Sequence, residues 1–590
     1  MRNKRLNILS LVLVTLLILS GAYAIWLKNF SPNKTVVEPF DIPETRLVIG
    51  GDWIRSDYPP LLKDDQILLP FDTIKAHIDP YLWYDEALLK ITITTRDRVI
   101  RMKTGSLEAL VNEKPMELKF PAVEENGTLY LPIDFLLDFY GITVHYAQIN
   151  DVIIVDYKNT VFRTAWPLDA KTVVRKGASI REPIIKKYVG EGEKQLTVSR
   201  SLENGLTVFD ENEEWYKVRD YYGAVGYVKK DEVAVTGSQQ IIDDPVQTEP
   251  PILSAGKINL VWDMTYSKRN IEFSKENTPG IDVISPTWFE IVDRKGTIKN
   301  RATPEYVEYA HQNGWQVWAL FSNAFGDIEG TSLILNNSDK RQEIIRSILA
   351  YASLYKLDGI NLDFENIYKK DKDAYTQFVR EFYPLAKEQG LYVSVDVTVP
   401  DGSDTWSKCF DRKALAESVD FICLMAYDQY WSTSPRAGST AELVWVEENL
   451  QKTLEEVPAQ KLLLGIPLYT RLWTEETKDG QTKVASKALN MANAWNAVEE
   501  NEATVAWNEV LGQYQASYEK DGKTYKMWLE DADAVNMKTS LVHKYNLGGA
   551  CVWAANFADE SVFNIFERNL KQITHYDEWK SQYSQPQGLK

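Results

Sequence analysis

The sequence predicts an α/β chain built on a (β/α)8 TIM barrel. A subdomain is inserted before the last barrel strand, and two small β-rich modules precede the barrel. Three observations support this. Eight apolar, strand-like runs alternate with helical patterns across residues 256–575. A polar, Pro-bearing stretch without periodicity, residues 237–255, precedes those runs as a linker would. Upstream of it, residues 50–160 and 170–236 hold short strand-like runs bounded by turn residues. A chain of 590 residues is in any case too long for one typical domain.

Composition narrows the function classes. A net charge of -18 argues against a nucleic-acid partner, which would need a basic face. The 18 Trp and 31 Tyr make the chain aromatic-rich, and aromatic faces stack on sugar rings as well as filling cores. Cys409, Cys423 and Cys551 are odd in number and widely spaced, so neither a disulfide framework nor a zinc site is expected. The five histidines (His77, His145, His311, His543, His575) lack metal-ligand spacing. No metal and no cofactor are therefore expected.

The chain begins with the basic Met1-Arg-Asn-Lys-Arg5, and Leu6 to Leu27 carries no charged side chain. About 20 apolar residues span a bilayer, and the preceding positive charge favours a cytoplasmic N-terminus. Cleavage as a signal peptide after Ala22-Tyr23-Ala24 is the competing reading. The apolar run continuing through Ile25-Trp26-Leu27 favours an uncleaved single-pass anchor, within residues 1–30. Either way the rest of the chain is expected on the extracellular face of the cell envelope.

Leu89 to Thr95 and Arg98 to Lys103 are strand-like, and Thr128-Leu-Tyr-Leu-Pro132 leads into a short helix, Ile133 to Tyr140. With Ile67-Leu-Leu-Pro-Phe, Val111-Asn-Glu-Lys and Gly141-Ile-Thr-Val, their order resembles the copper amine oxidase N-terminal-like domain of bacterial envelope proteins. That resemblance implies a wall-proximal module and no copper. Trp215-Tyr-Lys-Val-Arg and Gly223-Ala-Val-Gly-Tyr-Val228, within 170–236, resemble the strands of a bacterial SH3 barrel. Such a barrel either binds cell-wall peptide or serves as a spacer with its aromatics in the core.

After the linker come the eight apolar runs. They start at Lys257, Ile281, Trp315, Gly359, Leu391, Phe421, Leu462 and Gly549. Thr303 to Asn313, Arg341 to Tyr355, Asp373 to Gln389 and Ala441 to Glu455 read as helices between them. The long gap at residues 475–546 is the expected insertion, forming one wall of a cleft.

The fourth run carries the chemistry. In Leu357-Asp358-Gly359-Ile360-Asn361-Leu362-Asp363-Phe364-Glu365-Asn366, Ile360, Leu362 and Phe364 alternate with Asn361, Asp363 and Glu365. A strand has a side-chain period of 2, so it places the three polar groups on one face. Two carboxyls that close disfavour joint ionisation, which holds one protonated as a general acid near neutral pH. Barrel active sites lie at the C-terminal ends of strands, where Glu365 sits.

Asp358-Gly-Ile-Asn-Leu-Asp363-Phe-Glu365 looks like the Asp-Gly-x-x-x-Asp-x-Glu motif of family 18 glycoside hydrolases, which include chitinases and cell-wall glucosaminidases. Met425-Ala-Tyr427-Asp428 resembles that family's sixth-strand motif, and Trp553 stands where the family keeps a tryptophan under the sugar. The resemblance implies a retaining, substrate-assisted hydrolysis of bonds beside N-acetylglucosamine. Glu365 would be the acid/base, Asp363 would accept from the acetamido N–H, and the Tyr427 hydroxyl would orient the acetamido carbonyl. Trp553, Asp428, Met425 and Asn361 would line the substrate, and Asp358 with Gly359 would be structural.

A lone aromatic on a buried strand is ordinarily core. Tyr427 and Trp553 each follow a strand residue, Met425 or Cys551, by two positions, which directs them to the same interior. One residue departs from the pattern: many chitinases carry Asp where this chain has Asn361. An amide neither takes nor loses a proton, so Asp363 is expected to keep its charge, and Asn361→Asp to move the pH profile. The expected function is an exported, surface-held glycosidase of the cell wall. Peptidoglycan is favoured over chitin as the N-acetylglucosamine-containing polysaccharide. A lapsed, lectin-like barrel and a scaffold for envelope partners are the alternatives, and the retention of Glu365 argues against both.

Overall fold

The computed structural model describes residues 12–21, 23, 31–188, 200–240 and 256–588. Half of the expected anchor over Leu6 to Leu27 and most of the linker over 237–255 fall outside those residues. Among the described residues no helix is long and apolar enough to cross a membrane. The chain forms two compact units. One comprises Met1–Leu82, Met102–Ala109 and Pro115–Gln247, the other Trp83–Arg101, Leu110–Lys114 and Thr248–Lys590.

In the first unit, strands Ile142–Ala147, Val152–Tyr157, Arg46–Ile49 and Asp52–Ile54 form one sheet, with Arg46–Ile49 parallel to Val152–Tyr157. A second sheet runs Val123–Glu125, Thr128–Pro132, Gln66–Pro70, Leu61–Lys63. The stretch expected to be one helix after Pro132 is a 3-10 turn, Asp134–Leu136, followed by the α-helical turn Leu137–Tyr140, which Gly141 ends at φ +57°. A seven-stranded sheet follows, including Val161–Pro167, Leu206–Glu211, Trp215–Asp220 and Val225–Lys229. Trp215 is buried, and Val208, Val218 and Val228 lie in that sheet's core.

In the second unit, eight parallel strands close into a barrel: β1 Ile258–Asp263, β2 Val283–Ile291, β3 Gln316–Ser322, β4 Gly359–Asp363, β5 Tyr392–Thr398, β6 Phe421–Met425, β7 Leu462–Pro467 and β8 Gly549–Trp553. Closure comes from β1 pairing with both β2 and β8. Helices cover the outside, among them α1 Pro304–Gln312, α2 Ser338–Tyr355, α3 Lys372–Glu388 and α4 Leu443–Leu454. The outward Ile360, Leu362 and Phe364 pack under α3, where the Phe364 ring stacks on those of Tyr375 and Phe378. The inward residues fill the barrel in layers. At its base, Trp318 stacks on Tyr392 at 5.1 Å and on Phe421 at 5.8 Å. Gly359 makes room for that stack, because a Cβ there would lie 2.7 Å from the Trp318 ring and 2.8 Å from the Tyr392 carbonyl oxygen.

Between β7 and β8 the chain departs into a five-stranded antiparallel sheet reaching from Tyr469 to Trp528, with helix α5 Met491–Glu500. The stretch expected as insertion, residues 475–546, also contains helix α6 Ala532–Lys544. Its Ala532, Val535, Leu541 and Val542 join the barrel's outer core.

A buried ion network ties α2 to α3. Glu381 accepts from Arg341 at 2.8 and 3.0 Å, from Arg101 at 3.0 Å and from Gln377 at 3.0 Å. Glu381 and Arg341 are wholly buried. Burial alone would raise the Glu381 pKa, yet the two guanidinium groups hold it below the ordinary value. Asp85, on the strand Trp83–Asp85, accepts from the Ser338 N–H at the start of α2. Glu381→Ala strands a buried guanidinium and is expected to destabilise the barrel by about 3–5 kcal/mol in urea unfolding. A loss under about 1 kcal/mol would mean the network carries little of the packing.

Candidate active site

The period of β4 sends Gly359, Asn361 and Asp363 inward, and Glu365 follows just past the strand's end. Asn323, beyond the end of β3, pins that acid at two points. Its Oδ1 accepts from the Glu365 N–H at 2.9 Å, and its Nδ2 donates to the Glu365 carbonyl at 2.8 Å. Nδ2 also donates to Thr331 Oγ1 at 3.0 Å. The backbone at Glu365 is thus set by a side chain of the neighbouring strand connection.

The carboxyls sit in a low-dielectric pocket. Burial, then the nearby Asp428 charge, raises the Glu365 pKa to about 7. Burial, Glu365 and Asp396 push Asp363 well above the ordinary carboxylate range. Asp363 Oδ1 is buried without a hydrogen-bond partner. The expectation that Asp363 keeps its charge because position 361 is an amide is therefore reversed. A second inner carboxyl, Asp396 on β5, is one of the groups that raise Asp363, and burial raises Asp396 as well.

Asn361 lies beneath the site. Its Oδ1 accepts from Trp262 Nε1 at 2.8 Å and Ser285 Oγ at 3.4 Å. Its Nδ2 donates to Ser394 Oγ at 2.9 Å and Asp396 Oδ1 at 2.6 Å. The amide's bonding capacity is spent inside the barrel, which leaves none for a ligand. Met425, expected at the substrate, closes β6 as part of the core. Its contribution there is packing.

The other expected residues do converge. Tyr427 is buried past the end of β6, and burial followed by Cys551 and Asp396 keeps its phenol protonated, hence a donor. Trp553 is partly exposed at the end of β8, edge-on to Trp262 at 5.8 Å. Asp428, in the left-handed region at φ +56°, accepts from Tyr469 Oη at 2.5 Å and Arg471 Nη2 at 2.7 Å, both on the first strand of the inserted sheet. Asp358 and Gly359 lie at the opposite, N-terminal end of β4. There Asp358 Oδ2 accepts from the Val317 N–H at 2.8 Å and meets His311 Nε2 at 2.8 Å.

A cavity of about 620 Å³ opens beside Asp428, between the connections after β5 and β6. Trp406, Trp431 and Trp445 line it together with Asp401, Glu448 and Lys452. Sequence reasoning named none of these tryptophans; only the aromatic-rich composition hinted at them. It also missed Asn323 and Asp396. Ser394 and Asp396 alternate with Val393, Val395 and Val397, so the period argument applied to β4 reveals them too. Among the described residues no group of three or more His, Cys, Asp or Glu side chains is placed to hold a metal ion.

Residues 295–558 match the glycosyl hydrolases family 18 model, and residues 48–155 match the copper amine oxidase N-terminal domain model. The chain thus carries a glycoside hydrolase domain and, ahead of it, a copper amine oxidase N-terminal domain. It is 26% identical to the uncharacterized glycosylase YvbX of Bacillus subtilis over 47% of this chain and 82% of that protein. It is 28% identical to the cortical fragment-lytic enzyme of Bacillus subtilis over 40% of this chain and 54% of that one. The crystal structure of the spore cortex-lytic enzyme SleL of Bacillus megaterium aligns at TM-score 0.48 and 23% identity, covering 58% of this chain and 79% of SleL.

Two outcomes are expected from this geometry. Because the folded Glu365 pKa of about 7 exceeds its ordinary 4.5, the wild type loses stability as pH rises from one value to the other. Glu365→Gln is therefore equal in stability to wild type below pH ~4 and more stable by up to about 2–3 kcal/mol above pH ~8. Denaturant titrations at both pH values check this, and a constant difference would contradict the buried-acid picture. Asn323→Ala is expected to lower kcat about 10–100-fold with KM little changed, since it removes the clamp and no ligand contact.

Proposed function

We propose that the barrel hydrolyses β-1,4 bonds beside N-acetylglucosamine in an envelope glycan, peptidoglycan before chitin, by a retaining, substrate-assisted reaction. The carrying observation is the buried Glu365 at the strand end, its pKa raised to about 7, beside an Asp363 oxygen that is buried and unpartnered. A nucleophilic carboxylate is not required of Asp363, because the acetamido carbonyl oxygen of the substrate can attack the anomeric carbon. Glu365 gives its proton to the leaving oxygen as that bond breaks, and an oxazolinium ion forms. Asp363 Oδ1 accepts from the acetamido N–H, while the Tyr427 hydroxyl donates to the attacking carbonyl. Water, giving a proton to Glu365, then adds to the anomeric carbon as the bond from that carbon to the acetamido oxygen breaks, which frees the acetamido group and restores the enzyme with retained configuration.

Trp553 provides an apolar face for the sugar ring, and the tryptophan-lined cavity offers further stacking area on one side. Asp428, held by Tyr469 and Arg471, stands at the rim to orient hydroxyls and to raise the proton affinity of Glu365. The relative named for lysis of cortical fragments, and the domain matched at residues 48–155, favour a wall glycan. The sheet holding Trp215 and Val225–Lys229 fits an SH3-like module. With its Trp215 buried, that module is read as a spacer. The location proposed is the extracellular face of the envelope, with the N-terminal segment as anchor.

Full-length protein incubated with peptidoglycan or with chitin oligomers is expected to release new reducing ends, faster from peptidoglycan. Glu365→Gln should lower the rate about 10²–10⁴-fold, and Asp363→Asn and Tyr427→Phe about 10²–10³-fold. Equal product from wild type and Glu365→Gln would sink the acid assignment. Wild-type protein that binds both glycans and cleaves neither would establish the lectin alternative instead.

A further inference from the structure

The mechanism above leaves one buried carboxyl at the site without a task. Asp396 lies on β5, only 1% exposed, against the wholly buried Asn361. The β4–β5 register pairs Asn361 with Ser394, so Asp396 stands at the rung of Asp363. The groups facing it across the pocket are Asp363 and Glu365 from β4, Cys423 and Tyr427 from β6 and just beyond it, Tyr375 from α3 and Cys551 from β8. All are acids or neutral donors, and no cation stands among them.

A purely structural acceptor for the Asn361 amide needs no charge. A serine or an amide at position 396 would take the same hydrogen bond, without the cost of several kcal/mol of placing a third carboxyl in a low-dielectric pocket. Burial and then Cys423 raise the Asp396 pKa well above the ordinary value, and the Asn361 amide opposes that rise. Asn361 Nδ2 donates to Asp396 at 2.6 Å, whereas Asp363 Oδ1 has no donor. Trp262 and Ser285 fix the amide by binding its oxygen, so that its N–H must face Asp396. An N–H donor favours the ionised form of the carboxyl it reaches.

The geometry points to Asp396 as a positioning residue of the reaction: clamped by Asn361, it holds a negative charge behind Asp363 and keeps a proton on the Asp363–Glu365 pair. Asn361 and Asp396 together do from two strands what a single inner acid on β4 would do from one. The inference rests on the proposed role of Glu365 as acid. The charge on Asp396 opposes ionisation of Asp363 and Glu365, so the enzyme retains its active protonation state to higher pH than it would with a neutral group there.

The test compares full-length wild type, Asp396→Asn, Asp396→Ser and the exchange variant Asn361→Asp/Asp396→Asn, with an umbelliferyl chitobioside and with peptidoglycan as probes. Either folded single variant is expected to move the alkaline limb of kcat down by about one pH unit, with KM little changed, and the exchange variant to move it back. A merely structural Asp396 would change the unfolding midpoint and leave the limb in place, which would overturn the inference. An activity-free readout accompanies the kinetics: the carboxylic C=O stretch that Glu365→Gln abolishes, followed by infrared difference spectroscopy against pH. Its midpoint should fall in the same variants. Wild type inactive on both probes, with that midpoint still moved, would reject the glycosidase reading and keep the role of Asp396. Active wild type with neither limb nor midpoint moved would do the reverse.

Discussion

Three carboxyls, Asp363, Glu365 and Asp396, share a largely buried pocket of the barrel, and among the described residues no cation is a cause of their raised pKa values. Charge repulsion at short range in low dielectric is strong enough to decide how many of the three ionise. Much of the surrounding arrangement answers that constraint. Asn361 takes a position where a fourth acid would add to the repulsion, and its amide is oriented by an indole and a serine from two other strands. Tyr427 stays a phenol chiefly because it is buried, and the acids around it add to that. Asn323 holds the Glu365 backbone with neutral bonds, so that the acid is placed without being deprotonated.

The rim obeys a different rule. Asp428 is more than a third exposed at its side chain and has a partner cation in Arg471. Asp428 is also the second cause, after burial, of the raised Glu365 pKa. The partner comes from the inserted sheet, so the insertion helps set the electrostatics of an acid it does not touch. The same sheet supplies Tyr469, which donates to the same Asp428 oxygen as Arg471.

Much of this was legible in the residues. The period of 2 in Gly359 to Glu365 located the acids and their inward direction, and the apolar runs gave all eight strands. What failed was local inference across strands. The resemblance placed Asn361 at the substrate, but depth within the barrel depends on register, which one strand alone does not reveal. Asp363 was expected to keep its charge because only its own strand was weighed, and Asp396 lies on the next. Asn323 has no pattern at all in the sequence: its importance comes from a loop meeting a strand end. Met425 shows the same limit, since a motif position fixes identity without fixing whether the side chain looks into the cleft or into the wall.

The ion network between α2 and α3 has a bearing on how this enzyme can be divided. Arg101 and Asp85 precede the first barrel strand by more than 150 residues, yet they satisfy Glu381 and the start of α2 as barrel residues would. The barrel is therefore a discontinuous folding unit, stitched from segments that a ribosome delivers far apart. A fragment cut at the linker would retain every group proposed to act in the reaction and still lack part of its own framework. Glu381 would then face one guanidinium in place of two, and the weakness would appear as loss of refolding yield and protease resistance. The border that matters for engineering this chain runs through the upstream module and not along the linker.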